Sequence, residues 1–236
     1  IRALCRKTLY PSKNLSLRLH TLETERGESQ PVSMATHRLP PDHSVTADAA
    51  PESSLAGQML VAMPGIGDPR FERSVIYIFA HQDSGAMGLV VNHSTRDIDF
   101  AELLSQLELE LPEGAPTPPV RIGGPVETER GFVLHSPDYH RDEATLKVDD
   151  EISMTATVDV LHAIAAGEGP TEAFFALGYA GWGPVQLESE ILSNGWLHCQ
   201  ADKDLVFGDD DDDKWGLALE KIGVDPSKLS AASGSA

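Results

Sequence analysis

The chain has 236 residues, of which 41% are hydrophobic and 23% charged, which is typical of a globular protein with one domain or at most two. Its charge is uneven: 11 of the 18 basic but 31 of the 37 acidic residues lie beyond residue 54, and that part has a net charge of −20. Such a surface repels phosphate polyanions and anionic lipids, so we expect no direct binding to nucleic acid or to membranes. No run approaches the roughly 18 apolar residues of a membrane-spanning helix.

The first 54 residues differ in composition from the rest. Residues 1–22 carry five basic residues and no acidic residue, as a transit peptide does. The alternative is that the chain is a fragment, or that its start was assigned too early, with Met34 as the initiator. Residues 34–54 are rich in proline, serine, alanine and aspartate and show no hydrophobic period. We therefore predict that residues 1–54 are a disordered leader or a mis-called N-terminal extension, and that residues 55–236 form a single domain.

Nine apolar segments of strand length follow, and turn residues separate many of them. The first three predict a β-meander, in which a turn at 83–85 joins the second strand to the third. The eighth segment is a continuous apolar run, which favours a strand buried on both faces. In chain order the segments are QMLVAM, SVIYIFAH, GAMGLVVNH, VRIGGPV, GFVLH, ATLKV, ISMTAT, AFFALGY and WLHC.

Four other segments predict helices. In DIDFAELLSQL, apolar residues recur at i, i+3, i+4 and i+7, and Asp99 is the predicted cap. Thr157 is the predicted cap of VDVLHAIAA. The third helix is predicted to start at Pro184 and to end at Asn194, and the fourth is DDKWGLALEKI, with Trp215 on its apolar face. Because strands and helices do not alternate strictly, we predict an α+β fold with a mixed, largely antiparallel sheet.

The stretch LGYAGWGPVQLESEI, residues 177–191, combines three glycines with a tyrosine, Trp182 and a proline. Its glycines fit neither the dinucleotide-binding pattern G-x-G-x-x-G nor the Walker A pattern, and two carboxylates in the following turns would repel a phosphate. We interpret the stretch as a strand-to-helix turn over which Trp182 packs. A loop that binds a ligand is the alternative.

Five long motifs follow one another along the chain: GQMLVAMPGIGDPRFERSVIYIFAH, GAMGLVVN, IGGPVETERGFVLH, LGYAGWGPVQLESEIL and KWGLALEKIGVDPSKLS. In sequence and order they resemble the AlgH/YqgE family of bacterial proteins, from about residue 55 onward. The resemblance implies a cytoplasmic protein whose mixed sheet is curled into a pseudo-barrel with flanking helices. Family members are often labelled transcriptional regulators, with no established catalytic residue or cofactor. The chain departs from the family pattern at Val185, where glycine is usual, at its C-terminal SGSA, and in its first fifty-odd residues.

Motifs of known chemistry are missing from the sequence. No serine-hydrolase, zincin or thioredoxin motif occurs, so we predict no catalytic residue, no metal and no cofactor. His135 and His140 could converge on a metal, but an exposed polar loop is the preferred interpretation. The aspartates at 209–213 lack the spacing of a calcium loop and are interpreted as the solvated start of the last helix. Cys5 and Cys199 lie on opposite sides of residue 54, which favours a reducing compartment.

Three turns of small residues, 64–67, 123–125 and 181–183, could line one concave surface. The arginines near them could bind an anion, and surface ion pairs are their alternative role. The candidate surface for a ligand or partner comprises Arg70, Arg73, Gly123, Gly124, Arg130, Gly181, Trp182 and Gly183. We hypothesise a cytoplasmic regulatory or interaction module that acts through a protein partner or a small anionic ligand. The alternative is an enzyme of unrecognised type that uses the glycine-rich turns as an anion-binding site.

Overall fold

The computed structural model describes residues 54–95, 98–115 and 117–229, so the predicted leader lies outside the described residues except for Ser54. Within these ranges are nine β-strands, and each corresponds to one of the predicted segments. They are β1 (Gln58–Ala62), β2 (Val75–Gln82), β3 (Gly85–Val90), β4 (Val120–Ile122), β5 (Val126–His135), β6 (Thr145–Lys147), β7 (Ser153–Thr155), β8 (Ala173–Trp182) and β9 (Trp196–Gln200).

Five α-helices lie in the described ranges: α1 (Phe100–Gln106), α2 (Asp159–Ala165), α3 (Gln186–Leu192), α4 (Lys203–Phe207) and α5 (Lys214–Lys221). We did not predict α4, because its five residues are too few to show a helical period. Asp99 caps α1 as predicted, since its carboxylate accepts a hydrogen bond from the Glu102 amide at 2.7 Å. None of the described helices has the length and hydrophobicity needed to cross a lipid bilayer.

Two predicted helix starts are wrong. The start of α2 follows Val158, and the buried hydroxyl of Thr157 has no hydrogen-bond partner among the described residues, so Thr157 is not the cap. The start of α3 is Gln186 rather than Pro184, because β8 continues to Trp182 and residues 183–185 make the turn. The glycines at 178 and 181 therefore lie in a strand.

The nine strands form one mixed, largely antiparallel sheet, which curls into a half-barrel and confirms the predicted α+β fold. Eight strands follow the order β6-β7-β5-β8-β3-β2-β1-β9. The ninth, β4, pairs in parallel with residues 175–177 of β8, and β3 pairs with residues 180–182 on the same edge. On its other edge β8 pairs with β5. Phe174 and Ala176 pack in one apolar cluster and Phe175 in another, so both faces of β8 are covered, which explains why its apolar run is continuous.

Three apolar clusters stabilise the packing of helices on this sheet. The first lies between the sheet and the helices α4 and α5, and it contains Tyr77 and Trp215. The second packs α1 and α2 against β5 and β8 around Phe175. The third packs α3 against β1, β2 and β3, and it contains Trp182 and Trp196. This third cluster lies directly beneath the candidate site.

Candidate functional site: the α3 cleft

A cleft of about 510 Å³ lies beside α3, and we call it the α3 cleft. Its lining comes from loop 65–71, residues 125–126, the end of β8 at 181–182, and the segment 186–196 that includes α3. Each of the three predicted small-residue turns contributes at least one residue. The volume falls in the range of small-ligand pockets, roughly 300–1,000 Å³. The turns therefore meet at a cavity of a size that can bind a ligand or a partner's side chain.

Aromatic rings form one wall of the α3 cleft. The rings of Trp182 and Trp196 meet edge to face with 5.8 Å between their centroids, and Phe71 meets Trp196 in the same way at 5.6 Å. Trp182 is 7% exposed and Trp196 is 1% exposed. Both tryptophans are therefore packing residues of the third cluster, and little of their surface is accessible from the cleft.

Glu190 lines the cleft and accepts three hydrogen bonds. Its Oε2 accepts one from the indole N–H of Trp182 at 2.9 Å and one from that of Trp196 at 2.8 Å. Its Oε1 accepts one from the Gln186 side-chain amide at 2.8 Å. All three donors are neutral, and no lysine, arginine or histidine nitrogen in the described part of the chain lies within 4.0 Å of this carboxylate. The carboxylate is thus fixed in orientation without a cationic partner.

Arg70 is the cation that lines the cleft. Its side chain is 64% exposed, and its Nη2 lies 2.6 Å from Oδ2 of Asp68. Its Nε also donates to both oxygens of the same carboxylate. These side-chain hydrogen bonds hold the pKa of Asp68 below its usual value. Much of the hydrogen-bonding capacity of Arg70 is therefore used within its own loop.

The other two predicted arginines lie outside the cleft and pack on aromatic rings. The guanidinium of Arg73 lies 4.9 Å from the ring centroid of Trp215. The guanidinium of Arg130 lies 5.0 Å from the ring centroid of Phe132, and it pairs with Glu127 at 3.2 Å. Each thus has a partner within the protein, as expected for a structural role.

The predicted glycines have different roles. Gly123 and Gly124 permit close contact with β8, because a Cβ atom on them would lie 2.3 Å and 2.2 Å from backbone atoms of that strand. Gly181 lines the α3 cleft, whereas Gly183 lines a neighbouring cavity of about 540 Å³ beside the β2–β3 hairpin. Neither Gly181 nor Gly183 has a positive φ, so the backbone conformation does not require glycine at these two positions.

Sequence reasoning missed Phe71, Gln186, Glu190 and Trp196 as cleft residues. One signal was available, since Gln186 and Glu190 are four residues apart and must share a face of a helix. The contact of Glu190 with Trp196 had no such signal. This tryptophan belongs to β9, which is separated from β8 in the sheet by β3, β2 and β1.

A second cluster of charged side chains lies in the core. The guanidinium of Arg121, which is 0% exposed, pairs with the Asp211 carboxylate at 2.8 Å and donates to the carbonyl of Gly208 at 2.9 Å. Lys214 pairs with the same carboxylate at 2.9 Å and donates to the carbonyl of Val91 at 2.9 Å. Burial, and then the neighbouring Arg121, lower the pKa of Lys214 to about 8. The interpretation of the aspartate run as solvated is therefore wrong for Asp211, which neutralises buried cations.

The interpretation of His135 and His140 as an exposed polar loop is wrong for His135, which ends β5 in the core. His135 is buried, with Nδ1 2.8 Å from the Ser136 carbonyl oxygen and Nε2 2.9 Å from the Thr155 hydroxyl. Burial lowers the pKa of its ring. His140 is exposed beside Asp142. Among the residues that the structure describes, no group of three or more His, Cys, Asp or Glu side chains is placed to bind a metal ion.

A family model described as AlgH-like (DUF179) matches residues 59–227 of the chain. The chain belongs to the AlgH-like family. A UPF0301 protein of Bradyrhizobium diazoefficiens is 58% identical to it over 200 residues, which are 81% of this chain and 94% of that protein. A UPF0301 protein of Methylobacterium sp. (strain 4-46) is 52% identical over 210 residues, 86% of this chain and 100% of that protein. These matches confirm the family that the motifs indicated.

Two solved structures are similar to this AlgH-like chain. The solution structure of AlgH from Pseudomonas aeruginosa is 38% identical with a TM-score of 0.62, over 80% of this chain and 100% of AlgH. A crystal structure of a protein from Corynebacterium diphtheriae is 22% identical with a TM-score of 0.57, over 73% of this chain and 88% of that protein. The second similarity concerns the fold alone.

Val185 has a backbone conformation that favours glycine. It immediately precedes α3 with φ 64° and ψ −1°, in the left-handed region that glycine adopts freely and β-branched residues strongly disfavour. Its side chain is 70% exposed, so little burial compensates for the strain. The start of α3, beside the cleft, is therefore a strained segment.

Proposed function

We propose that this AlgH-like protein is a cytoplasmic regulatory or interaction module that binds a protein partner at the α3 cleft. The observation that carries the proposal is Glu190, a half-buried carboxylate at the cleft that two indoles and an amide hold in one orientation. Recognition sites combine apolar walls with a few polar groups that are fixed before binding. Phe71 and Val126 supply apolar walls beside this carboxylate.

A small anionic ligand is the second candidate, and Arg70 is the observation that favours it, because its guanidinium lines the cleft and is 64% exposed. An anion there would compete with Asp68 and would lie in the same cleft as Glu190, so a protein partner is the better-supported candidate. The enzyme alternative has less support, since Gly123 and Gly124 contact the backbone of β8 rather than lining the cleft.

Native mass spectrometry of the protein isolated from its host tests the proposal. Gly67 lines the cleft, and a Cβ atom there would meet no atom within 4 Å, so Gly67→Phe adds bulk at the cleft without a backbone clash. Gly216 in α5 is equally free of contacts and lies outside the cleft, so Gly216→Phe is the matched control. We expect a protein of defined mass bound in stoichiometric amount to the wild type and to the control, and lost from Gly67→Phe.

Two other results would change the conclusion. A protein that stays bound to Gly67→Phe would show that the partner uses another surface. If an acidic metabolite were bound in place of a protein, the small anionic ligand would become the better-supported candidate.

A further inference from the structure

We infer that the α3 cleft receives a cationic side chain, an arginine or a lysine, from a basic segment of the partner protein. This inference rests on the proposed function and specifies the partner's chemistry. Its starting point is the charge of the cleft, which is lined by three charged residues, Asp68, Arg70 and Glu190. Asp68 and Arg70 neutralise each other. Glu190 is left as a negative charge whose hydrogen-bond donors are all neutral.

The hydrogen bonds of Glu190 leave room for one more donor. Its Oε2 accepts from two indoles, whereas Oε1 accepts only from the Gln186 amide. Each oxygen of a carboxylate can accept two hydrogen bonds, so Oε1 retains one acceptor position. Because the existing donors already fix the side chain, binding a cation requires little further loss of conformational entropy from the protein.

The walls of the cleft suit the stem of such a side chain. Ile66, Phe71 and Val126 are half-buried and line the same cavity. Lysine and arginine place their methylene groups on apolar surface while the charged end reaches a polar group. A neutral apolar side chain would gain these contacts as well, but it would leave Glu190 without a cation.

Long-range electrostatics favour the same occupant. The part of the chain beyond residue 54 has 31 acidic and 11 basic residues, so a basic partner is attracted from a distance and an acidic one is repelled. The local and the long-range charges therefore select for the same kind of partner.

An NMR titration of the full chain tests this binding. The signals to follow are the indole N–H signals of the three tryptophans. Trp182 and Trp196 donate to Glu190, whereas Trp215 donates to the Ala62 carbonyl and is the internal control. The probes are acetyl-arginine methylamide and its neutral analogue acetyl-citrulline methylamide. We expect the arginine probe to shift the signals of Trp182 and Trp196 but not that of Trp215, with the citrulline probe binding at least tenfold more weakly.

Two variants separate the charge of Glu190 from its structural role. Glu190→Gln keeps an acceptor oxygen for the indoles and removes the charge, and we expect it to weaken arginine binding at least tenfold. Glu188→Gln is the matched control, because this neighbour on α3 pairs with His81 and does not line the cleft, and we expect unchanged binding. The comparison of arginine with citrulline on the wild type does not depend on whether either variant folds.

Equal binding of citrulline and arginine would overturn the inference, and so would the absence of any shift. If acetyl-glutamate methylamide or inorganic phosphate shifted the same two indole signals instead, the cleft would be an anion site. In that case the inference would fail while the cleft would remain the binding site. The native mass spectra of Gly67→Phe decide separately whether a protein partner binds there.

Discussion

Trp182 and Trp196 pack edge to face at an interplanar angle of 80°, and both donate their indole N–H groups to the same oxygen of Glu190. They belong to β8 and β9, between which β3, β2 and β1 lie in the sheet. The ring pair therefore spans the sheet face that α3 covers. The residues that pack the third cluster at this site also border the proposed recognition cleft.

Replacing Trp182 with alanine should lower the free energy of unfolding by about 3–5 kcal/mol, the usual cost of removing a large buried aromatic side chain. Trp182→Phe keeps a ring in the cluster and loses the hydrogen bond to Glu190, so we expect a smaller loss. Urea denaturation followed by circular dichroism measures both values. An alanine variant as stable as the wild type would show that Trp182 does not pack in solution as it does in the structure.

Val185→Gly should raise the free energy of unfolding by about 1 kcal/mol. The left-handed conformation at this position costs a β-branched residue roughly 1–3 kcal/mol, and the greater freedom of glycine in the unfolded chain offsets about 0.5–1 kcal/mol of the gain. Ser189→Gly, in the exposed middle of α3, is the control and should lower the stability by a similar amount. A lower thermal midpoint for Val185→Gly would contradict the strained conformation.

Asp211→Asn should destabilise the protein by about 3–5 kcal/mol, because it leaves the buried cations Arg121 and Lys214 without a counter-charge. Asp212→Asn in the same aspartate run changes an exposed residue, and we expect an effect within about 0.5 kcal/mol. Chemical denaturation of the two variants side by side is the measurement. Equal effects would mean that Asp211 is solvated after all.

The protein should lose stability as the pH falls below about 6.5, the ordinary histidine value. Burial lowers the pKa of His135 and of His93 in the folded chain, so the unfolded chain takes up protons first. Stability that is present above this pH is therefore lost as the pH falls towards the folded-state values. Urea unfolding at about pH 7.5 and about pH 5.5 measures the change. His135→Gln should reduce the difference, and an unchanged difference would contradict this origin of the pH dependence.

The part of the chain beyond residue 54 should show no sequence-selective binding to duplex DNA at physiological salt. Non-specific affinity depends on cations placed against phosphates. Arg121 is buried in the core, Arg70 is paired with Asp68, and Arg130 is paired with Glu127. Fluorescence anisotropy with genomic fragments is the test, and submicromolar, salt-sensitive binding would refute the expectation. Any effect on transcription should then act through a partner protein or a metabolite.

The sequence was sufficient to locate the strands, because alternating or continuous apolar runs indicate burial, but it did not predict that β8 continues to Trp182. It was less informative at the start of α2. Thr157 is of a residue type that often caps helices, but it lies one position before the observed cap, Val158. The pairing of Asp211 with Arg121 could not be predicted, since 90 positions separate them and no local pattern reports a contact of that range. The cleft was partly predictable: glycine turns indicate where the backbone bends, but the fixed carboxylate of Glu190 depends on tryptophans from two distant strands.

The pairing of β1 with β9 and of β3 with β8 has a consequence for synthesis on the ribosome. The meander of β1, β2 and β3 is complete at Val90, but both of its outer edges stay open until residues 173–200 have been made. Open strand edges pair readily with other chains, so the nascent protein is exposed to aggregation over this interval. We therefore expect truncated chains that end before residue 173 to aggregate more readily than the full chain.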